Sequence, residues 1–140
     1  MEELKRFAVL DSLDEDQRSD LAEELEWLAC EPGVALFREG ESADALLLLI
    51  EGRVRVTSRR AGADGECGPG TAFGALSLVI EGTREATAVT SAACRVLRLH
   101  RDAFRRLVAG TPRAACALLE GVVRESAAEV REVLERLSVG

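Results

Sequence analysis

The sequence predicts a mainly β fold with flanking helices: a double-stranded β-helix, or jelly-roll-like β-roll, with N-terminal helices before it and a long C-terminal helix after it. Short β-type runs broken by glycines fill residues 33–100, and helical patterns precede and follow them. A length of 140 residues suits one domain with one core. We therefore expect a single domain over 1–140, divided into a helical part at 1–32, the roll at 33–100 and C-terminal helices at 101–140.

The N-terminal helix is predicted from a capping-box pattern. Ser12 can accept a hydrogen bond from the amide three residues later, and the side chain of Glu15 can reach back to the amide of Ser12. Apolar residues then recur at helical spacing: Leu21, Leu25 and Leu28, with Trp27 beside them. The pair Pro32-Gly33 predicts the end of this helical part.

The middle of the chain contains five runs that are typical of β-strands. They are Val34–Phe37, Ala45–Glu51, Arg53–Ser58, Thr87–Ala92 and Cys94–Leu99. Their shortness and regular spacing indicate a compact roll or barrel. Gly52, between two of these runs, predicts a tight hairpin turn, because glycine adopts a positive φ without steric cost.

The last forty residues return to helical patterns. Arg101–Ala109 predicts a short helix that Gly110 ends, and Pro112 then stands at the first position of a longer helix. Along that helix, residues at alternating steps of three and four form the seam of a coiled coil. They are Cys116, Leu119, Val123, Ser126, Val130, Val133 and Leu137. The seam predicts a homodimer, and the alternative that it leaves open is an amphipathic helix lying on its own roll.

Charge and hydropathy argue against several classes of function. A formal net charge of -7 disfavours sequence-independent nucleic-acid binding, which needs Lys and Arg to neutralise phosphates. The longest apolar run, Ala45 to Ile50, is too short to span a membrane, and the N-terminus lacks the apolar segment of a secretory signal. These features predict a cytoplasmic protein with no membrane association.

Residues suited to catalysis or metal binding are sparse. The four cysteines lack C-x-x-C spacing and lie in apolar segments, so they are predicted to be buried free thiols: Cys30, Cys67, Cys94 and Cys116. The chain contains one histidine, His100, which is too few for the His and carboxylate cluster of a metal-dependent β-helix enzyme. We therefore expect no catalytic residues, no metal and no cofactor.

One segment has a pattern that favours an anion. Residues 68–78 resemble a glycine-rich turn entering a short helix, and residues 81–87 form a loop that contains Arg84. Unpaired amides at a helix start attract anions, and a guanidinium can bind two phosphate oxygens at once. The segment therefore predicts a phosphate site over residues 68–87; the alternative is that Arg84 is an ordinary surface arginine.

The chain resembles the cyclic-nucleotide-binding domain family, which includes the catabolite activator protein and the regulatory subunits of cAMP-dependent kinase. The resemblance covers nearly the whole chain, and the spacing of eleven from Phe73 to Arg84 matches the family's phosphate-binding cassette. The other matching segments are Pro32-Gly33, Phe37-Arg38-Glu39-Gly40, Leu49-Ile50-Glu51-Gly52-Arg53-Val54 and Arg84-Glu85-Ala86-Thr87.

The resemblance implies a ligand, cAMP or cGMP, whose cyclic phosphate is held by Arg84 and by amides at the helix start. The cassette residues that it implies are Phe73, Gly74, Ala75, Leu76, Ser77, Arg84, Ala86 and Thr87. Some family members offer small hydroxyl residues of the long helix to the base; the corresponding stretch here is Ala128-Glu129-Val130, and Ser126, one turn earlier, is the candidate base contact. The family's activator-type members continue into a DNA-reading helix-turn-helix, which we do not expect within these 140 residues.

One cassette position departs from the family. The family normally has Phe-Gly-Glu-Leu, and its glutamate accepts a hydrogen bond from the ribose 2′-hydroxyl; here that position is Ala75. Loss of a charge-assisted bond of about 1.5–3 kcal/mol predicts binding weakened by roughly ten- to a hundredfold. Two hypotheses follow: a non-catalytic regulator that binds a nucleotide and signals to a partner protein through a helix dimer, or a ligand-free scaffold that makes protein contacts.

Overall fold

The computed structural model of the chain describes residues Glu2 to Val139. These residues form two compact units. One unit is a β-roll over residues 24–105, and the other joins residues before 24 to those from 106 onward. The helices of the second unit are α1 (Glu15–Glu24), the end of α2 (Arg101–Gly110) and α3 (Pro112–Val139), with two short 3₁₀ helices (Glu2–Arg6 and Ala8–Leu10) at the start.

The roll consists of two four-stranded antiparallel sheets, which confirms the predicted mainly β fold. Its strands are β1 (Glu26–Cys30), β2 (Ala35–Phe37), β3 (Ala45–Glu51), β4 (Val54–Ser58), β5 (Ala63–Cys67), β6 (Ala72–Phe73), β7 (Thr87–Thr90) and β8 (Cys94–His100). The first sheet has the order β1-β8-β3-β6, and the second has the order β2-β7-β4-β5. The roll's core contains residues of both sheets, among them Leu47 and Leu49 of β3 with Phe37 and Ala88 of the second sheet.

The predicted hairpin at Gly52 is wrong. Strands β3 and β4 lie in different sheets, so the turn between them carries the chain across the roll instead of joining hydrogen-bonded neighbours. Gly52 does have a positive φ of 102°, as expected. A Cβ at this position would collide with the backbone carbonyl of Ala93, so close packing also requires glycine here.

The N-terminal helix forms, but its cap lies two residues after the predicted one. The Gln17 amide donates to the Asp14 carboxylate at 2.8 Å, and the Asp14 amide donates to the Gln17 side-chain oxygen at 2.9 Å. This reciprocal pair is the capping box, not Ser12 with Glu15. The hydroxyl oxygen of Ser12 is instead buried and has no hydrogen-bond partner among the described residues.

For the residues that follow the first helix, the helical spacing predicts the wrong type of element. Leu28 and Trp27 lie on β1, where Leu28 pairs with Val96 and Trp27 pairs with Leu97 of β8. Pairing with a strand distant in sequence overrides the helical spacing of the leucines. The sequence patterns also fail to predict β5, because Ala63–Cys67 has few residues with high β propensity. An ion pair across the strands joins β5 to β4: Arg55 binds Asp64 at 2.6 Å.

The C-terminal helices begin where the sequence predicts. Pro112 is the first residue of α3, and Gly110 is the last residue of α2. The first half of α3 buries Leu118 and Val122, while larger apolar side chains farther along it are exposed, among them Val123, Val130 and Leu137. No helix in the described range is both long enough and apolar enough to cross a membrane.

All four cysteines are free thiols, but their burial differs from the prediction. Cys94 is buried, Cys30 and Cys67 are partly buried, and Cys116 is exposed on α3. Cys116 follows the buried pair Ala114 and Ala115, and helical periodicity places it on the outward side.

We predict that Gly121→Ala destabilises the protein by about 1–3 kcal/mol, because an added methyl group would overlap the backbone carbonyl of Val9. Gly110→Ala is the matched control: it is also helical, and an added Cβ there meets no atom within 4 Å. The control should be neutral or slightly stabilising, since alanine favours helix. Urea unfolding of both variants measures the difference, and equal midpoints would contradict this packing.

Candidate functional site

The candidate site is the segment between β6 and β7, which we call the cassette (residues 74–86). Phe73 pairs with Leu47 of β3 and so fixes the start of the cassette on the first sheet. Gly74 then adopts a left-handed conformation with φ 77°, and a 3₁₀ helix follows over Ala75–Leu78, which we call the cassette helix. The chain can turn this sharply at residue 74 because glycine lacks a Cβ, which would lie 2.8 Å from the carbonyl oxygen of Ala45.

Arg84 turns inward to the start of the cassette helix. Its Nη2 donates to the carbonyl oxygen of Ala45 at 2.9 Å, and its Nη1 lies against Gly74. The guanidinium carbon is 4.6 Å from the centre of the Phe37 ring, and that ring packs edge to face on Phe73 with centroids 5.6 Å apart. Arg84 is buried, with 9% of its surface exposed, so the alternative of an ordinary surface arginine is wrong.

The backbone on both sides of the guanidinium is held by hydrogen bonds. The Arg84 amide donates to the Glu41 carbonyl at 2.7 Å, and the Gly40 amide donates to the Arg84 carbonyl at 2.9 Å. Ser42 and Thr83 add an antiparallel bridge beside them. The guanidinium is therefore placed by a fixed backbone and not by a flexible loop.

The charge of Arg84 is incompletely compensated. Burial lowers the pKa of Arg84, and the charges of Asp44 and Glu41 act in the opposite direction. No carboxylate lies within 4 Å of this guanidinium in the part of the chain that the structure describes. A cation in such surroundings gains free energy when an anion approaches, because Coulomb attraction is stronger where water is excluded.

The amides of the cassette helix differ in what they can bind. The Ser77 amide donates to the Gly74 carbonyl at 3.0 Å, so it is engaged within the turn. The amides of Ala75 and Leu76 precede this first bond of the helix, and amides at that position have no partner within a helix. The Ala75 and Leu76 amides, which directly follow Gly74, are therefore backbone donors that the hydrogen bonds of the cassette helix do not engage.

Arg101, the first residue of α2, holds the other end of the cassette helix. Its Nε donates to the Ser77 carbonyl at 2.7 Å, and its Nη2 donates to the carbonyls of Ala43 at 2.8 Å and Ile80 at 3.3 Å. The Arg101 amide also donates to the Asp44 carbonyl at 2.8 Å. The sequence alone does not predict this role of Arg101, because no spacing rule links an arginine after a strand to carbonyl groups more than twenty residues earlier.

The structure places Thr87 apart from Arg84. Ala88 belongs to the core of the roll, so Thr87, its neighbour on β7, lies on the opposite face of the strand. The Thr87 hydroxyl oxygen accepts a hydrogen bond from the Glu39 amide at 2.9 Å. Of the implied cassette residues, Phe73, Gly74 and Arg84 are thus brought together, whereas the Thr87 side chain lines a different cavity.

The implied residues of the long helix lie in the other unit. The Ser126 hydroxyl donates to the Val122 carbonyl at 2.9 Å within α3. The rest of the predicted seam is largely exposed, and Leu119 is partly buried. Exposure is 65% for Val123, 58% for Val130, 51% for Val133 and 73% for Leu137.

Both the sequence and the fold of this chain are similar to those of known proteins. The sequence model of the family described as "Cyclic nucleotide-binding domain" matches residues 27–111. A cAMP-dependent protein kinase regulatory subunit of Yarrowia lipolytica is 33% identical over 106 residues, which are 75% of this chain and 28% of that protein. The chain thus spans little more than a quarter of that relative's length.

Two solved structures have the same fold. The N-terminal domain of a transcriptional regulator from Streptomyces coelicolor A3(2) superposes with a TM-score of 0.78 at 29% identity, covering 91% of this chain and 94% of that one. The catabolite activator protein of Thermus thermophilus superposes with a TM-score of 0.75 at 25% identity, covering 94% of this chain and 63% of that one.

We predict that Arg101→Gln loosens the cassette helix, because it removes a cation that donates to the carbonyls of Ser77 and Ile80. A hydrogen bond to a charged group contributes about 1.5–3 kcal/mol, so amide exchange at Val79 and Ile80 should accelerate roughly tenfold or more. Hydrogen exchange measures this effect. Arg105→Gln is the control, since Arg105 is exposed and pairs with Asp102, away from the cassette helix; equal acceleration in both variants would refute the role of Arg101.

Proposed function

Because the chain belongs to the cyclic nucleotide-binding domain family, we propose that it is a non-catalytic regulatory domain that binds cAMP or cGMP at the cassette. The observation that carries this proposal is the Arg84 guanidinium, which is buried beside Gly74 and lacks a carboxylate within 4 Å among the described residues. The relative from Yarrowia lipolytica is the regulatory subunit of a cAMP-dependent protein kinase, which supports cAMP as the ligand in this proposal.

The chemistry at the cassette is charge neutralisation. A cyclic phosphate carries one negative charge, and a guanidinium can donate to two of its oxygens in a bidentate arrangement. The Ala75 and Leu76 amides supply further donors at the start of the cassette helix. Arginine keeps its proton in proteins, so Arg84 binds and orients a phosphate but does not act as an acid or a base.

The exposed apolar residues of α3 support the second part of the proposal, which is signalling through a homodimer. Val130, Val133 and Leu137 are more than half exposed and recur at steps of three and four. A second copy of α3 would cover this stripe in a coiled coil. A bound nucleotide would change the output to a partner protein only if the two states of the domain bind it with different affinity.

A ligand-free scaffold is the second candidate, and two observations favour it. Ala75 offers no acceptor for a ribose hydroxyl, and Arg84 already donates to the Ala45 carbonyl at 2.9 Å. Thermal shift with cAMP, cGMP and cyclic dinucleotides separates the two candidates. Stabilisation that saturates supports the regulator, and no stabilisation at millimolar concentration supports the scaffold.

We predict that Arg84→Ala weakens cAMP binding by about a hundredfold or more, because it removes the cation that faces the phosphate. Ala75→Glu should strengthen binding by roughly ten- to a hundredfold, since a carboxylate there can accept from the ribose 2′-hydroxyl. Isothermal titration calorimetry measures both. Arg55→Ala is the control, because Arg55 pairs with Asp64 on the exposed β4–β5 edge; equal losses in Arg55→Ala and Arg84→Ala would reject the cassette as the site.

We predict that Val130→Asp converts a dimer into a monomer, because it places a charge in the middle of the apolar seam. Light scattering coupled to size exclusion measures the mass. Arg131→Asp provides a control at an exposed neighbouring position outside the seam and should remain dimeric. A wild-type protein that is monomeric at high concentration would rule out the homodimer.

A further inference from the structure

We infer that the roll has a second anion site, on the outer face of its second sheet, in which Arg38, Arg59 and Thr87 bind a phosphate group. This site is distinct from the cassette and does not depend on nucleotide binding there. Its walls are Arg38, Glu39, Arg59 and Thr87, which surround a cavity of about 300 Å³.

The strand register places this cavity on the side away from the core. Phe37 pairs with Ala88, and both side chains belong to the core of the roll. Side chains alternate between the two faces of a strand, so Thr87, next to Ala88, points outward. Arg38, which directly follows Phe37, is exposed and lines the same cavity. Arg84 stacks on the inward-facing Phe37 ring, so the two sites use opposite faces of this sheet.

The pairing of the roll's arginines singles out this cavity. Five of them form ion pairs with carboxylates: Arg53 with Glu66, Arg55 with Asp64, Arg95 with Glu51, Arg98 with Glu26 and Arg105 with Asp102. Arg84 and Arg101 donate to backbone carbonyls. Across the described residues, the guanidinium groups of Arg38, Arg59 and Arg60 form neither an ion pair nor a hydrogen bond, and the first two of these line the cavity. The chain has 25 acidic and 18 basic residues, so a shortage of carboxylates does not explain why these guanidinium groups lack ion pairs.

The carboxylate in the cavity wall is directed at backbone amides. Glu39 Oε1 accepts from the Arg59 amide at 2.9 Å, and Glu39 Oε2 accepts from the Arg60 amide at 3.2 Å. These amides hold the pKa of Glu39 below its ordinary value, so Glu39 keeps its charge and its bonds at neutral pH. Glu39 therefore fixes the backbone from which the Arg59 side chain extends. Its charge also attracts the Arg59 guanidinium, but among the described residues the two groups form no ion pair within 4 Å.

Three chain segments meet at the cavity and are tied together. The Glu39 amide donates to the Thr87 hydroxyl oxygen at 2.9 Å, and the Ser58 hydroxyl donates to the Glu85 carbonyl at 3.0 Å. Because the Thr87 oxygen accepts this bond, its own proton remains available for a ligand. A site whose backbone is already held loses less entropy on binding than a flexible one.

These donors define the class of ligand. Two guanidinium groups and one hydroxyl match a tetrahedral oxyanion, because arginine binds phosphate oxygens in a bidentate fashion. A cavity of about 300 Å³ has room for a phosphate group with a small organic substituent. The phosphate could belong to free inorganic phosphate or to a small phosphomonoester, and the two share the same binding chemistry.

The test is to titrate the full chain with inorganic phosphate and to monitor the amide NMR shifts. Sodium chloride at matched ionic strength is the control. We expect saturable shifts at Arg38, Glu39, Arg59 and Thr87 with phosphate only. Arg59→Gln should raise the dissociation constant at least tenfold. Arg60→Gln is the matched control, because it removes the same charge from the adjacent residue, whose side chain does not line the cavity.

Arg84→Ala separates this site from the cassette: phosphate binding at Thr87 should persist in that variant even if nucleotide binding is lost. A parallel titration with glycerol phosphate identifies the source, since tighter binding of the monoester supports a phosphorylated metabolite and tighter binding of phosphate supports the free ion. The proposal is overturned if phosphate and chloride give the same shifts, if Arg60→Gln weakens binding as much as Arg59→Gln, or if Arg84→Ala abolishes the effect.

Discussion

A buried guanidinium organises the cassette. Arg84 sits between the Phe37 ring, the Ala45 carbonyl and Gly74, and each of these contacts comes from a different segment of the roll. Burial of an arginine is unfavourable unless its charge and its donors are satisfied. The backbone carbonyl and the aromatic face satisfy them only in part, and an anion would complete the arrangement. The partly satisfied charge that this part of the fold buries is thus the feature on which the proposed phosphate site depends.

The cassette helix depends on its neighbours because it is only one turn long. A single turn fixes several dihedral angles for very few hydrogen bonds and is not stable by itself. Gly74 allows the chain to enter the turn, and Arg101 binds the carbonyls at its end. Arg101 is also the first residue of α2, so the end of the cassette helix and the start of α2 share one side chain. A conformational change in the cassette helix would therefore act directly on this arginine.

The second sheet separates two basic environments of different character. On its inner face, Arg84 is buried and partly satisfied by the roll itself. On its outer face, Arg38 and Arg59 line an open cavity, and Glu39 is engaged with backbone amides. The two environments therefore differ in burial and in how far the roll itself satisfies the guanidinium groups.

The sequence by itself determined the parts of this protein that depend on local patterns. Gly52 and Gly74 have the positive φ that their turns require, Pro112 begins α3, and the segment from Phe73 to Arg84 brings both residues into contact with the Phe37 ring. These features follow from backbone sterics and from short separations along the chain, which a pattern can express.

Only the tertiary structure decided which strands pair and which side chains meet. The leucine spacing after α1 suggests a helix, but Leu28 pairs with Val96 and forms β1. Thr87 looks like a cassette residue, but the register of β7 turns it to the outer face, where it meets Glu39. Arg101 reaches Ser77 across twenty-four positions of chain. Contacts of this kind depend on the pairing of segments that are distant in sequence. A local sequence pattern does not reveal the free energy of that pairing.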